Sequence, residues 1–459
     1  LSLRRVREEN RREGAISLPA KSDLRERFLD RLGFTLTGDQ RAALTDIETD
    51  VAGTYPMMRL VQGDVGCGKT VVAAAAALAA VEHECQVAVM APTELLAEQH
   101  RDSFQSWFAP LGISVAWLSG SLKKKARDTA YAAIASGDAQ VIVGTHALFQ
   151  EGVEYRRLAL VVVDEQHRFG VHQRLQLMEK GRDEATTPHQ LVMTATPIPR
   201  TLAMTLYADL DTSIIRELPP GRQPIQTVAL PEERRPDIIT RVREACREGR
   251  RAYWVCPLVE DSEQIESQAA ESTHELLTHA LDGINVGLIH GRMKADEKER
   301  AMEDFVSGKT QVLVATTVIE VGVDVPEASL MIIENAERMG LSQLHQLRGR
   351  VGRGSDSSSC VLLYKSPLSQ IARKRLDVLR RTTDGFEIAQ QDLELRGPGE
   401  VLGTRQTGLM QLRVADLIRD ADLAPAVYDI AKRLLPDSPD AVEKIINRWI
   451  GKSTRFGNV

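Results

Sequence analysis

Apolar runs alternate with longer amphipathic stretches over two successive blocks of the chain. In the first block, from Phe34 to about Arg216, the runs are 58–62, 86–91, 141–144, 160–163 and 191–193. The second block, from about Thr227 to Ser366, has runs at 252–256, 285–289, 312–315, 330–333 and 360–364. Continuous apolar runs are typical of parallel strands buried on both faces, with helices in the connections. The pattern therefore predicts two tandem α/β domains, each with a doubly wound parallel sheet.

The stretches around these blocks predict the remaining organisation. Residues 1–33 are rich in arginine and glutamate at helical spacing, which indicates a linker helix. The Glu217–Gly221 stretch has two prolines and a glycine, so we interpret it as the link between the domains, although a surface loop inside one domain has the same composition. After the second block the strand rhythm stops, and basic helical and glycine-rich stretches predict a helical hairpin, a loop and a helical tail. The predicted boundaries are 1–33, 34–220, 221–366 and 367–459.

Composition and charge narrow the class of protein. Apolar residues are 43% and charged residues 27% of the 459 residues, as in ordinary globular proteins, and the longest apolar run, 71–81, is too short for a membrane span. The net charge of −6 argues against binding nucleic acid by bulk charge but permits local basic tracks. The five cysteines form no CxxC pair, so they predict neither a zinc site nor a disulfide framework, and a reducing cytoplasmic compartment fits. A start at Leu1 instead of methionine indicates a fragment or a processed form.

One segment satisfies the pattern of a phosphate-binding loop. It follows an apolar run, opens an alanine-rich helix, and reads Gly63-Asp64-Val65-Gly66-Cys67-Gly68-Lys69-Thr70. The glycines let backbone N–H groups face phosphate oxygens, and the helix N-terminus favours negative charge. Lys69 would reach the β- and γ-phosphates of ATP, and the Thr70 hydroxyl would bind Mg²⁺, which prefers oxygen ligands. The alternative is a glycine turn before a helix.

An acidic pair follows a second buried run. Asp164 and Glu165 come directly after four apolar residues at 160–163, as in a Walker B site. Asp164 would hold Mg²⁺, and Glu165 would polarise the attacking water. The alternative for Asp164 is an N-cap acid of the following helix.

A third segment, at 346–353, places arginines among glycines late in the second block. Arg350 and Arg353 are three residues apart and would share one face of a helix. Because the guanidinium fork matches phosphate oxygens, we predict that the two are arginine fingers contributed by the second domain. A solvated basic helix is the alternative, although glycines destabilise such a helix.

The ordered set of motifs resembles the superfamily-2 helicases. This resemblance implies two RecA-like domains, with Phe34 and Gln40 contacting adenine, Gly322 and Asp324 binding nucleotide, and His167 acting with the catalytic residues. It implies that Thr194-Ala195-Thr196 couples hydrolysis to domain movement. It assigns DNA contacts or translocation to the following residues: Thr93, Thr145, His146, His290, Thr316, Arg375, Arg396, Arg405 and Gln406.

Within that superfamily the chain most resembles the RecG family of bacterial branched-DNA helicases. The residues that carry this likeness are Asp164–Gly170, Gln343–Gly349, Asp392–Glu400 and Gly403–Gln406. The resemblance implies an ATP- and Mg²⁺-dependent monomeric helicase of the bacterial cytoplasm that acts on stalled forks and Holliday junctions. It implies single-stranded DNA-binding protein as a partner, and a wedge domain that would precede Leu1. Cys67 stands where the family pattern has serine, and we predict that its thiol is sensitive to oxidation.

Other functions share parts of this pattern. The nearest is the double-stranded DNA translocase that couples transcription to repair, whose motor and translocation motif look similar. A DEAD-box RNA helicase is disfavoured by Gln166 and His167, and a nucleotide-driven clamp is disfavoured by Glu165. A P-loop remodeller that acts on protein is a further alternative, and it would hydrolyse ATP at a rate that DNA does not stimulate.

Overall fold

A computed structural model gives the structure of this chain. It describes residues 14–165, 180, 186–197, 210–257, 263–316, 325, 327–352, 357–396 and 419–449. These residues fall into two compact units. The first takes its described residues from the stretches 1–63, 67–219 and 410–459, and the second from 64–66 and 220–409.

The first unit is built on a parallel sheet of seven strands in the order β3-β4-β2-β5-β6-β1-β7. The strands are β1 Met58–Gly63, β2 Gln86–Met90, β3 Val115–Leu118, β4 Val141–Gly144, β5 Leu158–Asp164, β6 His189–Thr194 and β7 Asp211–Ile215. The helices of this part of the chain are α1 Leu24–Arg31, α2 Gly38–Val51, α3 Lys69–Glu82, α4 Glu94–Phe108 and α5 Lys124–Ser136.

The central elements of this unit are buried because their sequences are apolar on every side. All seven residues of β5 are buried, and α3 buries eleven of its fourteen residues. A helix that is hydrophobic all round lies inside a protein. Alanine also has the best helix propensity and the smallest side chain after glycine, so α3 packs closely along the sheet.

The second unit contains a parallel sheet of six strands in the order β10-β11-β9-β12-β13-β8. The strands are β8 Gln226–Pro231, β9 Arg251–Val255, β10 Val286–Ile289, β11 Val312–Ala315, β12 Ala328–Ile333 and β13 Ser359–Tyr364. The helices are α6 Arg235–Arg247, α7 Glu263–Ala280, α8 Ala295–Val306, α9 Leu341–Arg348, α10 Gln370–Arg381 and α11 Gly385–Arg396. Two parallel-sheet α/β units confirm the predicted fold class.

Three strands, β3, β7 and β8, were absent from the predicted pattern, and all three lie at sheet edges. Their burial is partial: β3 has one buried residue of four, β7 two of five and β8 none of six. An edge strand does not require the continuous apolar run of a strand enclosed on both faces. The hydrophobic pattern therefore predicts central strands better than edges.

The prediction of a helix over residues 1–33 is wrong for the first described stretch of that segment. Residues 15–22 lack helical structure, and only Leu24–Arg31 forms a helix. Both parts bury apolar side chains in the core of the first unit, with Leu18 and Phe28 each 1% exposed. The segment thus contributes to a domain core instead of serving only as a linker.

The helices of residues 357–449 agree with the predicted hairpin and tail. The pair α10 and α11 forms the hairpin, and Arg348 ties it to α9, because its guanidinium donates to Leu379 O (2.8 Å) and Thr382 O (2.9 Å). Two further helices, α12 Ala424–Asp437 and α13 Pro439–Trp449, belong with the first unit. In the described part of the chain, no helix combines the length and the apolar character that a bilayer crossing requires.

A buried histidine joins the N-terminal segment to the first sheet. His189, at the start of β6, has no exposed surface. Its Nδ1 accepts a hydrogen bond from Met57 N (3.0 Å), and its Nε2 donates one to Ile16 O (2.8 Å). This pairing requires the neutral ring, and burial lowers the pKa of His189.

We predict an acid-dependent loss of stability that arises from His189. Because the pKa in the folded state lies below that of the unfolded chain, the unfolded chain binds the proton more readily, and stability falls as the pH drops below about 6.5. Urea unfolding followed by tryptophan fluorescence at several pH values measures the effect. His189→Gln should flatten the acid side of the profile, whereas His279→Gln, at an exposed position, should leave it unchanged. Equal slopes for His189→Gln and the unsubstituted chain would contradict the assignment.

Candidate functional site

The polar residues of the first unit gather at one edge of its sheet. Parallel strands all end on the same side, so the chain leaves β1, β2, β4, β5 and β6 at this edge. The residues at or just beyond these strand ends are Gly63, Thr93, Thr145, Asp164 and Thr194. Neighbouring strands lie about 4.8 Å apart, so Val61 and Asp164, which both pair with Met193 of the intervening β6, lie roughly 10 Å apart, and Gly63 follows Val61 by two residues.

The loop between β1 and α3 has the tight curvature that the glycine pattern predicts. Gly68 precedes α3 with φ +84°, a left-handed conformation that favours glycine. A Cβ at Gly68 would lie 2.3 Å from Gln40 Nε2, so a side chain does not fit there. Gln40 Nε2 donates to Cys67 O (2.7 Å), and Gln40 Oε1 accepts from Thr37 N (2.8 Å). The buried Gln40 amide thus links the start of α2 to the loop.

Lys69 is held against its own loop. Its Nζ donates to Gly63 O at 2.9 Å, and the residue is 8% exposed. Thr70, in the first turn of α3, is half-buried, and Gly66 is exposed with φ +76°. Asp64 Oδ1 accepts from Val65 N at 2.7 Å, which stabilises the turn. The loop therefore presents an ammonium group, a hydroxyl and a helix N-terminus in one place.

Asp164 is a buried carboxylate whose two oxygens are both hydrogen-bonded. Oδ2 lies 2.7 Å from His100 Nε2, and Oδ1 accepts from Glu165 N at 3.0 Å. Burial acts to raise the pKa of Asp164, but the hydrogen bond and charge of His100 and the charge of Lys69 outweigh it, so the pKa lies below its usual range.

Glu165 adopts an uncommon backbone conformation. Its φ of +52° is unusual for a residue other than glycine, and such outliers cluster at functional sites. Its Oε1 accepts a hydrogen bond from Ala195 N at 3.2 Å. This contact joins the acidic pair at the end of β5 to the Thr194-Ala195-Thr196 segment at the end of β6.

The remaining predicted residues of the first unit occupy different environments. Phe34 is exposed (48%). The Thr93 hydroxyl caps α4 by accepting from Leu96 N, and Thr145 is buried with no hydrogen-bond partner for its hydroxyl among the described residues. His146 is exposed and packs near Phe149, with ring centroids 6.4 Å apart. None of these contacts tests the predicted roles in nucleotide or DNA binding.

The second unit also collects polar residues at the ends of its strands. His290 follows β10 with its Nε2 3.5 Å from Glu271 Oε1, and the buried Thr316 follows β11. Glu334 follows β12 and accepts from Trp254 Nε1 (2.8 Å) and Arg235 Nη2 (2.9 Å). Burial raises the pKa of Glu334, while Arg235 and Trp254 act against the increase.

Two of the predicted arginines have described side chains. Arg350 lies in a turn, because α9 ends two residues earlier, at Arg348. The prediction that Arg350 shares a helical face with Arg353 is therefore wrong at Arg350. Arg375, on α10, donates to Met339 O at 3.3 Å. Arg396 ends α11. The predicted residues outside the described part are His167, Gly322, Asp324, Arg353, Arg405 and Gln406.

Three family models match successive parts of the chain. DEAD/DEAH box helicase matches residues 37–205, and Helicase conserved C-terminal domain matches 237–355. ATP-dependent DNA helicase RecG, domain 3, C-terminal, matches residues 382–450. The last match covers the region in which the sequence distinguishes RecG from the transcription-coupled translocase only modestly.

Alignments with similar proteins extend over the whole chain. The ATP-dependent DNA helicase RecG of Escherichia coli O127:H6 is 61% identical over 459 residues, and that of Haemophilus influenzae is 59% identical over 459 residues. Both alignments cover 100% of this chain. The chain belongs to the RecG family. It spans 66% of the length of these two RecG relatives, slightly less than two thirds.

A solved structure of RecG bound to a three-way DNA junction has the same fold. It is 40% identical to this chain with a TM-score of 0.77, and the similarity covers 92% of this chain and 55% of that one. RecG membership confirms the predicted family, and the family is that of ATP-dependent DNA helicases. The three-way DNA junction is bound to the RecG of that solved structure.

His100 is the residue of this RecG-family site that the sequence analysis missed. It lies in α4, 64 residues before its partner Asp164, so no local motif connects the two. The available signal was a histidine among the apolar positions of a helix that follows a central strand. A polar side chain there can reach the end of a neighbouring strand.

Cys67 is fully buried, which argues against the predicted sensitivity to oxidation. The other four cysteines are also buried, and burial raises the pKa of Cys85, of Cys246 to about 11, and of Cys256 and Cys360 to about 12. Because the thiolate is the reactive form, such thiols react slowly.

We predict that the folded chain has no rapidly reacting thiol. Titration with a chromogenic disulfide reagent at about pH 8 should show no fast phase in buffer and all five cysteines in urea. Mass spectrometry of the reacted protein identifies any modified position. A fast phase that maps to Cys67 would contradict its burial and support the prediction of an oxidation-sensitive loop.

Proposed function

We propose that this chain is the ATP-driven motor of a RecG-type helicase that acts on branched double-stranded DNA. The substrates would be stalled replication forks and Holliday junctions in recombination and repair. Membership of the RecG family supports this proposal, as does the similarity to RecG bound to a three-way DNA junction. The activity of a whole RecG protein is part of the proposal, because this chain spans 66% of the length of the Escherichia coli relative.

The observation that carries the proposal is the arrangement of Lys69 and Asp164 at one edge of the first sheet. In our proposal, backbone N–H groups of residues 63–70 and the N-terminus of α3 surround the phosphates of ATP. The Lys69 ammonium moves from Gly63 O to the β- and γ-phosphates. Phe34 and Gln40 contact adenine, and the exposure of Phe34 leaves its ring able to stack.

The residues at this edge fit Mg²⁺ by the chemistry of their donor atoms. The Thr70 hydroxyl and the Asp164 carboxylate are oxygen ligands, which Mg²⁺ prefers. Bound there, Mg²⁺ would neutralise developing negative charge on the phosphates. Glu165 orients the attacking water, and its contact with Ala195 N holds the carboxylate in place. His167 completes the proposed catalytic set of this unit.

In our proposal both units contribute DNA contacts, and the second unit also contributes contacts with the phosphates of ATP. Arg350 and Arg353 act as arginine fingers, and Gly322 and Asp324 bind nucleotide. The proposed DNA-contacting and coupling residues are Thr93, Thr145, His146, His290, Thr316, Arg375, Arg396, Arg405 and Gln406. Binding to single-stranded DNA-binding protein, a monomeric state and a cytoplasmic location remain predictions.

The ATPase rate tests the proposal most simply. We expect the rate to rise with a model fork, less with linear duplex, and not with RNA. Stimulation should weaken as salt increases, because contacts with phosphates release counterions. Lys69→Ala should lower the stimulated rate at least about 100-fold, as expected when a charge-stabilising group is lost from a catalytic site.

Lys432→Ala, at an exposed position in α12, is the matched control and should leave the rate unchanged. Hydrolysis that no DNA stimulates, or that survives Lys69→Ala, would contradict the proposed motor. Stimulation by RNA alone would support an RNA helicase instead.

A further inference from the structure

His100 is placed to orient the carboxylate of Asp164. The side chain reaches the end of β5 from α4, which follows β2, the strand paired with β5. His100 and Asp164 are 4% and 8% exposed, and their nitrogen and oxygen atoms lie 2.7 Å apart. An ionised carboxylate has no proton to donate, so the His100 Nε2–H is the donor.

The two hydrogen bonds of Asp164 determine how its carboxylate can turn. The terminal torsion of aspartate is broad, so a carboxylate without partners samples many orientations. The Glu165 N–H fixes Oδ1, and the His100 Nε2–H fixes Oδ2. Each oxygen has two lone pairs, so one acceptor position on each remains available to a metal ion.

We propose that His100 is a positioning residue that holds Asp164 in the orientation required for Mg²⁺. This inference rests on the proposed function, since it assumes that Asp164 binds the metal that accompanies ATP. Groups that hydrogen-bond metal-ligating carboxylates fix the geometry of a site, and their loss typically weakens metal affinity about 10- to 100-fold. His100 acts through Asp164 and does not contact the nucleotide in this proposal.

The experiment measures the affinity of the full chain for a fluorescent ADP derivative over a range of Mg²⁺ concentrations. His100→Leu fills a similar space without a donor. It should raise the Mg²⁺ concentration needed for half-maximal tightening at least about 10-fold, while the affinity without Mg²⁺ stays unchanged. His100→Gln places an amide N–H near the position of Nε2 and should restore the Mg²⁺ requirement to within about 3-fold of the unsubstituted chain.

His189→Leu is the matched control for a purely structural effect. His189 is also buried and makes two hydrogen bonds in the first unit, and we place it outside the nucleotide site. This variant should lower the stability to urea and leave the Mg²⁺ requirement unchanged. Paramagnetic resonance of Mn²⁺ provides a second readout, because the ion should bind less tightly to the His100→Leu complex with ADP.

The outcomes separate the inference from the proposed function. An unchanged Mg²⁺ requirement in His100→Leu would overturn the role of His100 and leave the proposed site intact. Equal defects in His100→Leu and a folded His100→Gln would overturn it as well, because the donor would then be irrelevant. If the unsubstituted chain shows no Mg²⁺-dependent binding of ADP, the proposed site fails and the inference fails with it.

Discussion

In the first unit every strand pairs in parallel with its neighbours, so every strand ends at the same edge of the sheet. Each return of the chain must cross a face of the sheet, usually as a helix, and each helix then begins near that edge. The glycine loop, the cap of α4 and the acidic pair therefore meet at one edge, although Gly63 and Glu165 are 102 residues apart in sequence. The chemistry of the site follows from this constraint, because helix N-termini and strand ends meet there.

Three polar side chains at this edge are buried or half-buried and bonded to a specific partner, whereas the buried Thr145 hydroxyl has none among the described residues. The Gln40 amide bonds to the glycine loop, Asp164 bonds to His100, and Glu165 bonds to Ala195 N. Burying a polar or charged group without such partners is costly. The network therefore gives the edge a defined geometry, which a site for a charged substrate requires. A single substitution such as His100→Leu is expected to disturb that geometry more than the fold.

Much of this arrangement could be predicted from the sequence, for physical reasons that differ between elements. Central strands such as β5 need continuous apolar runs, and the loop that ends at Lys69 needs glycines at fixed places. The strands β3, β7 and β8 could not be predicted in this way, because an edge position tolerates mixed polarity. The pairing of His100 with Asp164 and the complete burial of Cys67 depend on long-range packing. The end of α9 at Arg348 is not revealed by periodicity either, because the three-residue spacing of Arg350 and Arg353 continues past it.

The central claim is that residues 63–70 and the end of β5 form one nucleotide site. Hydrogen–deuterium exchange with and without a non-hydrolysable ATP analogue and Mg²⁺ tests it most directly. We expect slower exchange of the backbone amides of residues 63–70 and of Glu165 when both are present, because the loop N–H groups bond to phosphates. Unchanged exchange in both segments under conditions where the analogue binds would contradict the claim.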